Sequence, residues 1–199
     1  EHHAVLHVVE HSGGRTVGVD GSGRIDLEAL ASVLDESVSI VSVMAVNNEV
    51  GAVSPLREIA AVVRARAPRA VLHTDAIQAP MWMDLRDVME SVDLLSLSAH
   101  KFGGPKGAGV LIVREGTSIE PLLLGGGQEH DRRSGTHNVA GIVAMATALR
   151  ITDERRTEET TRIAALRDAL VDGLLDRIPD ACETVRRTHK VAAVSYTHL

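Results

Sequence analysis

Apolar and polar positions follow two different periods along the chain, and the changes of period divide it into strands and helices. Short β-branched runs bounded by polar residues predict buried strands. Apolar residues spaced at i, i+3, i+4 and i+7 predict helices. The predicted strands are residues 39–46, 70–74, 93–98 and 108–113.

Three helices are predicted before and between these strands. Asp26 and Ser54 precede apolar helical stripes at 27–34 and 56–63, and their side-chain oxygens are suited to capping a helix N-terminus. Pro55 favours the second start because its φ is already close to the helical value. A short third helix is predicted at 85–91. This order of elements predicts an α/β protein with a mainly parallel sheet flanked by helices.

The chain from about residue 138 onward has a helical pattern. Residues 139–149 are apolar on most faces, so we expect this segment to be buried. The polar segment that follows, 152–162, is interpreted either as the exposed stretch of one long helix or as a boundary between domains.

The composition is that of a folded globular protein, with 44% hydrophobic and 24% charged residues among 199. The net charge of -6 argues against a nucleic acid partner, because phosphate backbones select for clustered Lys and Arg. No apolar run approaches the roughly 18 residues needed to cross a membrane. The single cysteine, Cys182, excludes an intramolecular disulfide and suits a reducing compartment such as the cytoplasm.

Polar side chains follow three of the predicted strands at their carboxyl ends. Taken singly, such residues are most often turn formers. However, the carboxyl ends of parallel neighbours face one crevice, which is where ligands bind in open α/β sheets. The residues concerned are Asn47, Asn48, Glu49, Asp75, Gln78, Ser98, His100 and Lys101.

A lysine, a carboxylate, amides and a hydroxyl in one crevice are the groups that pyridoxal phosphate requires. The lysine binds its aldehyde and an acid keeps its ring nitrogen protonated. Asp75 is the only carboxylate of the set placed directly at a strand end. Lys101 is favoured over Lys106, because Lys106 lies in a glycine-rich turn with an exposed tip.

Four segments of the sequence, in this order and spacing, resemble cysteine desulfurases of the iron-sulfur cluster assembly type. These are pyridoxal-phosphate enzymes of the class V aminotransferase family, and the resemblance covers roughly residues 1–151. The four segments are "AVNNEVGAV" (45–53), "HTDAIQAPMWMDL" (73–85), "SLSAHKFGGPKGAGVLIVR" (96–114) and "GGGQEHDRRSGTHNVAGIV" (125–143).

The resemblance implies roles for eight residues. Lys101 would form the Schiff base and carry the proton to and from the substrate carbon, and Asp75 would pair with the pyridine nitrogen. His2 matches a histidine that stacks on the cofactor ring and assists acid–base steps. One of the eight residues, Thr136, would contact the neighbouring subunit, which implies a homodimer. The remaining implied contacts are Asn48 and Gln78 with the phenolic oxygen, Ser98 and His100 with the phosphate, and Thr136 with the phosphate of the neighbouring subunit.

The resemblance also implies a fold, an activity and partners. We expect a fold-type I large domain that is incomplete at both ends, with a partial cofactor-binding domain at 1–155 and the start of a small C-terminal domain at 156–199. The final "VSYTHL" (194–199) does not continue the family pattern. The whole enzyme would convert L-cysteine to L-alanine and leave the sulfur as an enzyme persulfide. A sulfur-acceptor or scaffold protein would then use it for iron-sulfur clusters or thiolation.

The sequence departs from the family pattern in its cysteine, and there are two kinds of alternative to the desulfurase. The family's catalytic cysteine lies on a loop farther along the chain, so Cys182 is interpreted as a structural or incidental thiol. We therefore expect the chain by itself not to release sulfur from cysteine. The alternatives are another class V enzyme, such as a selenocysteine lyase or an aminotransferase, and a non-catalytic scaffold domain of the same fold. "NNEVG" (47–51) and "RRSGT" (132–136) favour the desulfurase.

Other histidines and glycines have simpler interpretations. His3, His7 and His11 would share one face of a helix, but no further ligand stands at a suitable spacing except Glu10, so no metal site is predicted. His73 within a strand is interpreted as a core histidine with satisfied hydrogen bonds. "GGGQE" lacks the Lys-Ser/Thr helix start of a P-loop.

Overall fold

The computed structural model describes residues 1–192, and within them the chain forms a four-stranded sheet in the order β1-β2-β3-β4. The strands are β1 (Ile40–Met44), β2 (Val71–Asp75), β3 (Leu94–Ser98) and β4 (Gly109–Val113). The first three are parallel, and β4 runs antiparallel to β3. The prediction of a mainly parallel sheet is confirmed. The departure from the family pattern at 194–199 lies outside the described residues.

Helices flank the sheet, and those predicted at 27–34, 56–63 and 85–91 are confirmed to within a turn. An additional helix opens the chain, so His3, His7 and His11 do lie on one helix. A short 3-10 turn directly follows β3. The helices are α1 (His3–His11), α2 (Leu27–Val33), α3 (Leu56–Arg66), α4 (Leu85–Ser91) and α5 (Val139–Arg177), and the 3-10 turns are Ala99–Phe102 and Arg187–His189.

One face of the sheet belongs to a single hydrophobic core. Strand residues alternate between the two faces, and the inward set from three neighbouring strands is buried. These side chains cluster with buried residues of α3 and α4, and each fully buried aliphatic side chain contributes roughly 1.5–3 kcal/mol. The core residues concerned are Val41, Val43, Leu72, Leu95, Leu97, Ile59, Val63 and Val88.

The two predicted helix caps have different outcomes. Asp26 caps α2, since its Oδ1 accepts the backbone N–H groups of Glu28 and Ala29 at 2.9 and 3.1 Å. The capping role of Ser54 is wrong. Its hydroxyl donates to the carbonyl oxygen of Met44 at 2.7 Å, because the loop after β1 folds back and turns this side chain toward the strand end. Pro55 occupies the cap position of α3.

α5 runs without interruption for 39 residues, so the polar segment 152–162 is part of one long helix rather than a break. The expected domain boundary after residue 155 falls inside this helix, and the division into two domains stays a prediction. The expected burial of 139–149 is wrong. Only Gly141 and Met145 are buried there, because the described chain covers one narrow strip of an otherwise apolar surface.

The segment after α5 returns to the loop that follows β1. The N–H of Val53 donates to the carbonyl of His189, and the N–H of Val191 donates to the carbonyl of Gly51, at 2.9 and 3.0 Å. Lys190 forms an isolated bridge with Ala52 between these two bonds. Residues 189–191 therefore pair through backbone hydrogen bonds with the loop that carries Asn48.

Candidate functional site

The carboxyl ends of three parallel strands meet at one edge of the sheet. Asp75, the last residue of β2, stands in register between Met44 of β1 and Ser96 of β3. We use the term carboxyl-edge crevice for the polar groups that follow these three strand ends. Seven of the eight predicted site residues lie in the segments that form or border it. They are His2, Asn48, Asp75, Gln78, Ser98, His100 and Lys101.

Asp75 has one oxygen in use and one without a partner. The side chain is buried, with 3% of its surface exposed, and its Oδ1 accepts the N–H of Ile77 at 3.0 Å. No residue among 1–192 donates to the second oxygen. Because an unsatisfied buried polar atom is costly, the position suits a ligand that brings its own donor. A protonated pyridine nitrogen is such a donor.

Lys101 lies in the 3-10 turn after β3, and its amine has no hydrogen bond or ion pair within residues 1–192. Gly103 ends the turn with φ of 81°. The N–H of Gly104 then closes it by donating to Ala99 at 2.8 Å. A Cβ at position 104 would lie 2.8 Å from that of Ala99, so the turn that presents the amine requires glycine there.

Lys106 is exposed, as predicted, but Lys101 is exposed as well. Exposure therefore does not distinguish the two lysines in the described chain. Position does, because Lys101 follows β3 directly and belongs to the crevice, whereas Lys106 lies beyond the turn.

Ser98 and His100 form a polar pair at the end of β3. The Ser98 hydroxyl and the His100 Nδ1 are 2.8 Å apart. Ser98 is half-buried and His100 is exposed. A hydroxyl and an imidazole held together at the open end of a strand are suitable donors for phosphate oxygens.

The two asparagines after β1 differ in what their side chains do. Asn47 is a turn former, since its Oδ1 accepts the N–H groups of Glu49 and Val50, each at 2.9 Å. The side chain of Asn48 is half-buried and makes no hydrogen bond within residues 1–192. The side chain of Gln78, in the turn after β2, is likewise half-buried and makes no hydrogen bond within residues 1–192. The crevice thus offers two amide groups that are not used by the fold.

His2 is placed beside the crevice by the residue before it. Glu1 accepts the N–H of Met44 at 2.6 Å, which holds the start of α1 against the end of β1. Desolvation raises the pKa of this carboxyl, and the neighbouring Asp75 adds to the effect. His2 caps α1 with its Nδ1, which accepts the N–H of Ala4 at 3.1 Å and leaves Nε2 available.

Thr136 belongs to a separate loop. Gln128 accepts the N–H of Gly135 at 2.9 Å, and the three residues Glu129–Asp131 adopt left-handed φ values of 53–63°. No hydrogen bond within residues 1–192 joins this loop to the crevice. Thr136 is exposed, as a contact with another subunit requires, and that role stays a prediction.

The remaining candidates carry no site in the described residues. Within residues 1–192 no group of three His, Cys, Asp or Glu side chains is arranged to hold a metal ion. Cys182 is a free, exposed thiol in the segment after α5. None of the helices in this part of the chain is sufficiently long and apolar to cross a membrane.

Sequence reasoning missed a row of three polar side chains behind Asp75. His73 bonds Ser42 on one side and Ser96 on the other, so the histidine is satisfied as predicted but is only half-buried. Burial lowers its pKa, and Asp75 partly opposes this. The one available signal was the spacing, because residues two apart on a strand share a face.

The described chain is thus an α/β protein with acid, amine and amide groups at the carboxyl edge of its sheet, the place where ligands bind in open α/β sheets. The family model described as aminotransferase class-V matches residues 1–198, and the chain belongs to this family. Enzymes of this family use pyridoxal phosphate.

Three relatives illustrate the match. A protein from Bradyrhizobium diazoefficiens named "Cysteine desulfurase" is 44% identical over 182 residues, which are 88% of this chain and 45% of that protein. A "NifS-like protein" structure superposes with a TM-score of 0.88 at 37% identity, covering 96% of this chain and 53% of that one. A structure titled "SspA in complex with cysteine" has a TM-score of 0.67 at 33% identity, with 75% and 45% covered. This chain thus spans about half the length of these relatives.

Proposed function

We propose that this chain is the cofactor-binding part of a pyridoxal-phosphate-dependent cysteine desulfurase. The observation that carries the proposal is the unpartnered oxygen of Asp75 at the same sheet edge as the unpartnered amine of Lys101. The related protein named cysteine desulfurase supports this activity, and the SspA structure with cysteine supports the substrate. The whole enzyme would convert L-cysteine to L-alanine and transfer the sulfur to an enzyme cysteine, as a persulfide.

Three residues would act on the reacting atoms. Bound pyridoxal phosphate supplies an aromatic ring that accepts negative charge from the α-carbon of an amino acid. Asp75 would keep the pyridine nitrogen protonated through its free oxygen. Lys101 would hold the aldehyde and, once the substrate amine replaces it, move the proton at the α-carbon. His2 would lie against the ring and exchange protons through its available Nε2.

Four further residues would hold the cofactor in place. The amide groups of Asn48 and Gln78 would donate to the phenolic oxygen, since neither is used by a hydrogen bond within residues 1–192. The paired Ser98 and His100 would donate to the phosphate. Together these contacts would fix the orientation of the bound cofactor.

The partners of the enzyme follow from the same proposal. Thr136 is exposed and would contact the phosphate bound by a second subunit, which requires a homodimer. A sulfur-acceptor or scaffold protein would receive the persulfide sulfur for iron-sulfur clusters or thiolation. The single exposed thiol, Cys182, supports a reducing compartment, and we assign the enzyme to the cytoplasm.

The test is to map the cofactor on the full-length protein. Pyridoxal phosphate is added, borohydride reduction fixes the link to the lysine, and mass spectrometry of peptides locates the adduct. We expect labelling at Lys101, no labelling in Lys101→Ala, and unchanged labelling in the matched variant Lys106→Ala. An unlabelled wild-type protein would support the non-catalytic scaffold and overturn the proposal.

The same preparation separates the desulfurase from its nearest rival. Alanine production is measured with cysteine and with selenocysteine as competing substrates. We expect turnover of cysteine with sulfide released in the presence of a reductant. Turnover confined to selenocysteine would indicate a lyase and contradict the proposed substrate.

A further inference from the structure

A hydrogen-bonded row crosses the three parallel strands on one face of the sheet. The Ser42 hydroxyl on β1 lies 2.8 Å from Nδ1 of His73 on β2, and the Ser96 hydroxyl on β3 lies 2.8 Å from its Nε2. Both ring nitrogens are therefore engaged by hydroxyl groups. We call Ser42, His73 and Ser96 the serine–histidine row.

The row lies directly behind Asp75. His73 and Asp75 are two residues apart on β2, so their side chains share a face and stand about 6.6 Å apart along the strand. Ser96 is the cross-strand partner of Asp75 in the β2–β3 register. The imidazole of His73 thus bonds the hydroxyl of the residue that pairs with Asp75 on β3.

This arrangement matters because the Ser96 hydroxyl has two possible acceptors. One is Nε2 of His73, to which it is bonded, and the other is the unpartnered oxygen of Asp75. Ser42 and His73 are in register on the parallel strands β1 and β2 and lie 2.8 Å apart, so side chains in register across these strands can come within hydrogen-bonding distance. A hydroxyl bonded to Asp75 would satisfy the oxygen that the ligand requires, and a ligand donor would then have to displace it.

We propose that His73 is a positioning residue that occupies the Ser96 hydroxyl and so keeps the second oxygen of Asp75 free for the cofactor ring. In this arrangement Nε2 accepts a hydrogen bond from the Ser96 hydroxyl, and the N–H at Nδ1 donates one to the Ser42 hydroxyl. The imidazole is then neutral and does not compete, as a cation, with the pyridine nitrogen for the Asp75 carboxyl. The inference deepens the proposed function and rests on it.

The charges around the row agree with a neutral imidazole. Ser42 and Ser96 contribute only hydroxyls from the flanking strands. Asp75 is the ionisable neighbour on the same strand, and Glu1 brings a second carboxyl near Asp75 from the start of α1. Burial favours the uncharged ring and Asp75 favours the charged one, with burial the larger effect, so the pKa of His73 stays below its ordinary value.

The experiment is a double-mutant cycle on the full-length protein, with pyridoxal phosphate affinity as the readout. His73→Leu removes the acceptor, so Ser96 is released to bond Asp75, and we expect the dissociation constant to rise about tenfold. In His73→Leu/Ser96→Ala no hydroxyl remains to compete, and we expect affinity within about threefold of wild type. A general loss of packing would leave the double variant as weak as the single one, or weaker.

Two further measurements keep the test decisive if His73→Leu does not fold. His73→Gln provides a side-chain carbonyl as an acceptor for Ser96, and we expect near wild-type affinity. Nitrogen-15 NMR of the cofactor-free protein is expected to show the tautomer with the proton on Nδ1. A tautomer with the proton on Nε2, or a double variant without rescue, would overturn the inference. A wild-type protein that takes up no cofactor would overturn the proposed function itself.

Discussion

Two lysines of this chain occupy opposite environments, and the difference separates a site from a structural contact. Lys101 is exposed at the sheet edge and its amine has no partner within residues 1–192. Lys190 is almost fully buried, with 1% of its side chain exposed, and is paired with Glu183. An amine without a partner is available to a ligand, whereas the Lys190 amine is already used by the fold.

The acidic residues of the two regions repeat this difference. In the carboxyl-edge crevice, one oxygen of Asp75 is unused. Near the end of α5, by contrast, Asp168 and Asp172 are both paired with Arg187, which also contacts Glu183. The ion pairs of Arg187 are therefore structural contacts. The carboxyl-edge crevice, by contrast, has polar groups without a protein partner within residues 1–192.

The largest expected effect is that of removing the free amine. Lys101→Ala in the full-length protein should reduce alanine production from cysteine by at least about a thousandfold, because within residues 1–192 no other lysine amine lies at the carboxyl-edge crevice to carry the proton. The thermal midpoint of the cofactor-free protein should not change. Lys106→Ala is the control and should keep wild-type turnover. Turnover of the Lys101→Ala variant at the wild-type rate would show that the free amine of Lys101 is not needed for the reaction.

The second effect concerns stability rather than chemistry. Lys190→Met removes one of the two cations that pair with the part-buried Glu183 and leaves Arg187 as the other, so we expect the free energy of unfolding to fall by about 1.5–3 kcal/mol. Denaturant unfolding of the cofactor-free protein measures this loss. The variant Lys190→Met/Glu183→Leu removes both charges and should recover most of it. Loss of turnover without loss of stability would show that Lys190 belongs to the site.

A smaller effect is expected from Asp75→Asn. The amide keeps the shape of the side chain but cannot hold a pyridine nitrogen protonated, so turnover should fall about a hundredfold. Asp172→Asn changes a carboxyl that is paired with Arg187 at the surface, and turnover should be unaffected. Steady-state rates of both variants make the comparison. Equal losses in the two would contradict the assignment of Asp75.

The smallest effect is on acid stability, through Asp93. Partial burial opposes ionisation, but Arg64 at 2.6 Å and the N–H of Leu72 at 2.8 Å hold the pKa of Asp93 below its ordinary value. The stabilisation is present above about pH 3.9 and is lost as the pH falls through the lower folded-state pKa. The urea midpoint of the wild-type protein should fall below pH 4, and this fall should be smaller in Asp93→Asn. Asp26→Asn, a change at an exposed carboxyl, is the control and should leave the fall as in wild type.

The strands could be predicted because their signal is local. The β-branched runs that became β1 and β2 differ from the predicted bounds by only one or two residues at each end. The crevice was also predictable, since parallel order alone brings strand ends to one edge. Asp26 capped as expected because a cap depends on the next three residues.

What could not be predicted depends on distant neighbours. The apolar surface of 139–149 does not say what covers it, and in the described chain most of it is exposed. Ser54 has a capping sequence, but the fold-back of its loop commits the hydroxyl to Met44. The two-residue spacing of His73 and Asp75 indicates that they share a face, but His73 meets Ser42 and Ser96 only through the lateral register of three strands.

The backbone pairing of residues 189–191 with the loop after β1 has a consequence for the order in which the contacts of the fold form during synthesis. The loop that carries Asn48 is translated well before His189 and Val191, to which its backbone is hydrogen-bonded. Contacts between such distant segments form late, because a long loop must first close. The border of the carboxyl-edge crevice that contains Asn48 is therefore completed after the strands of the sheet have paired.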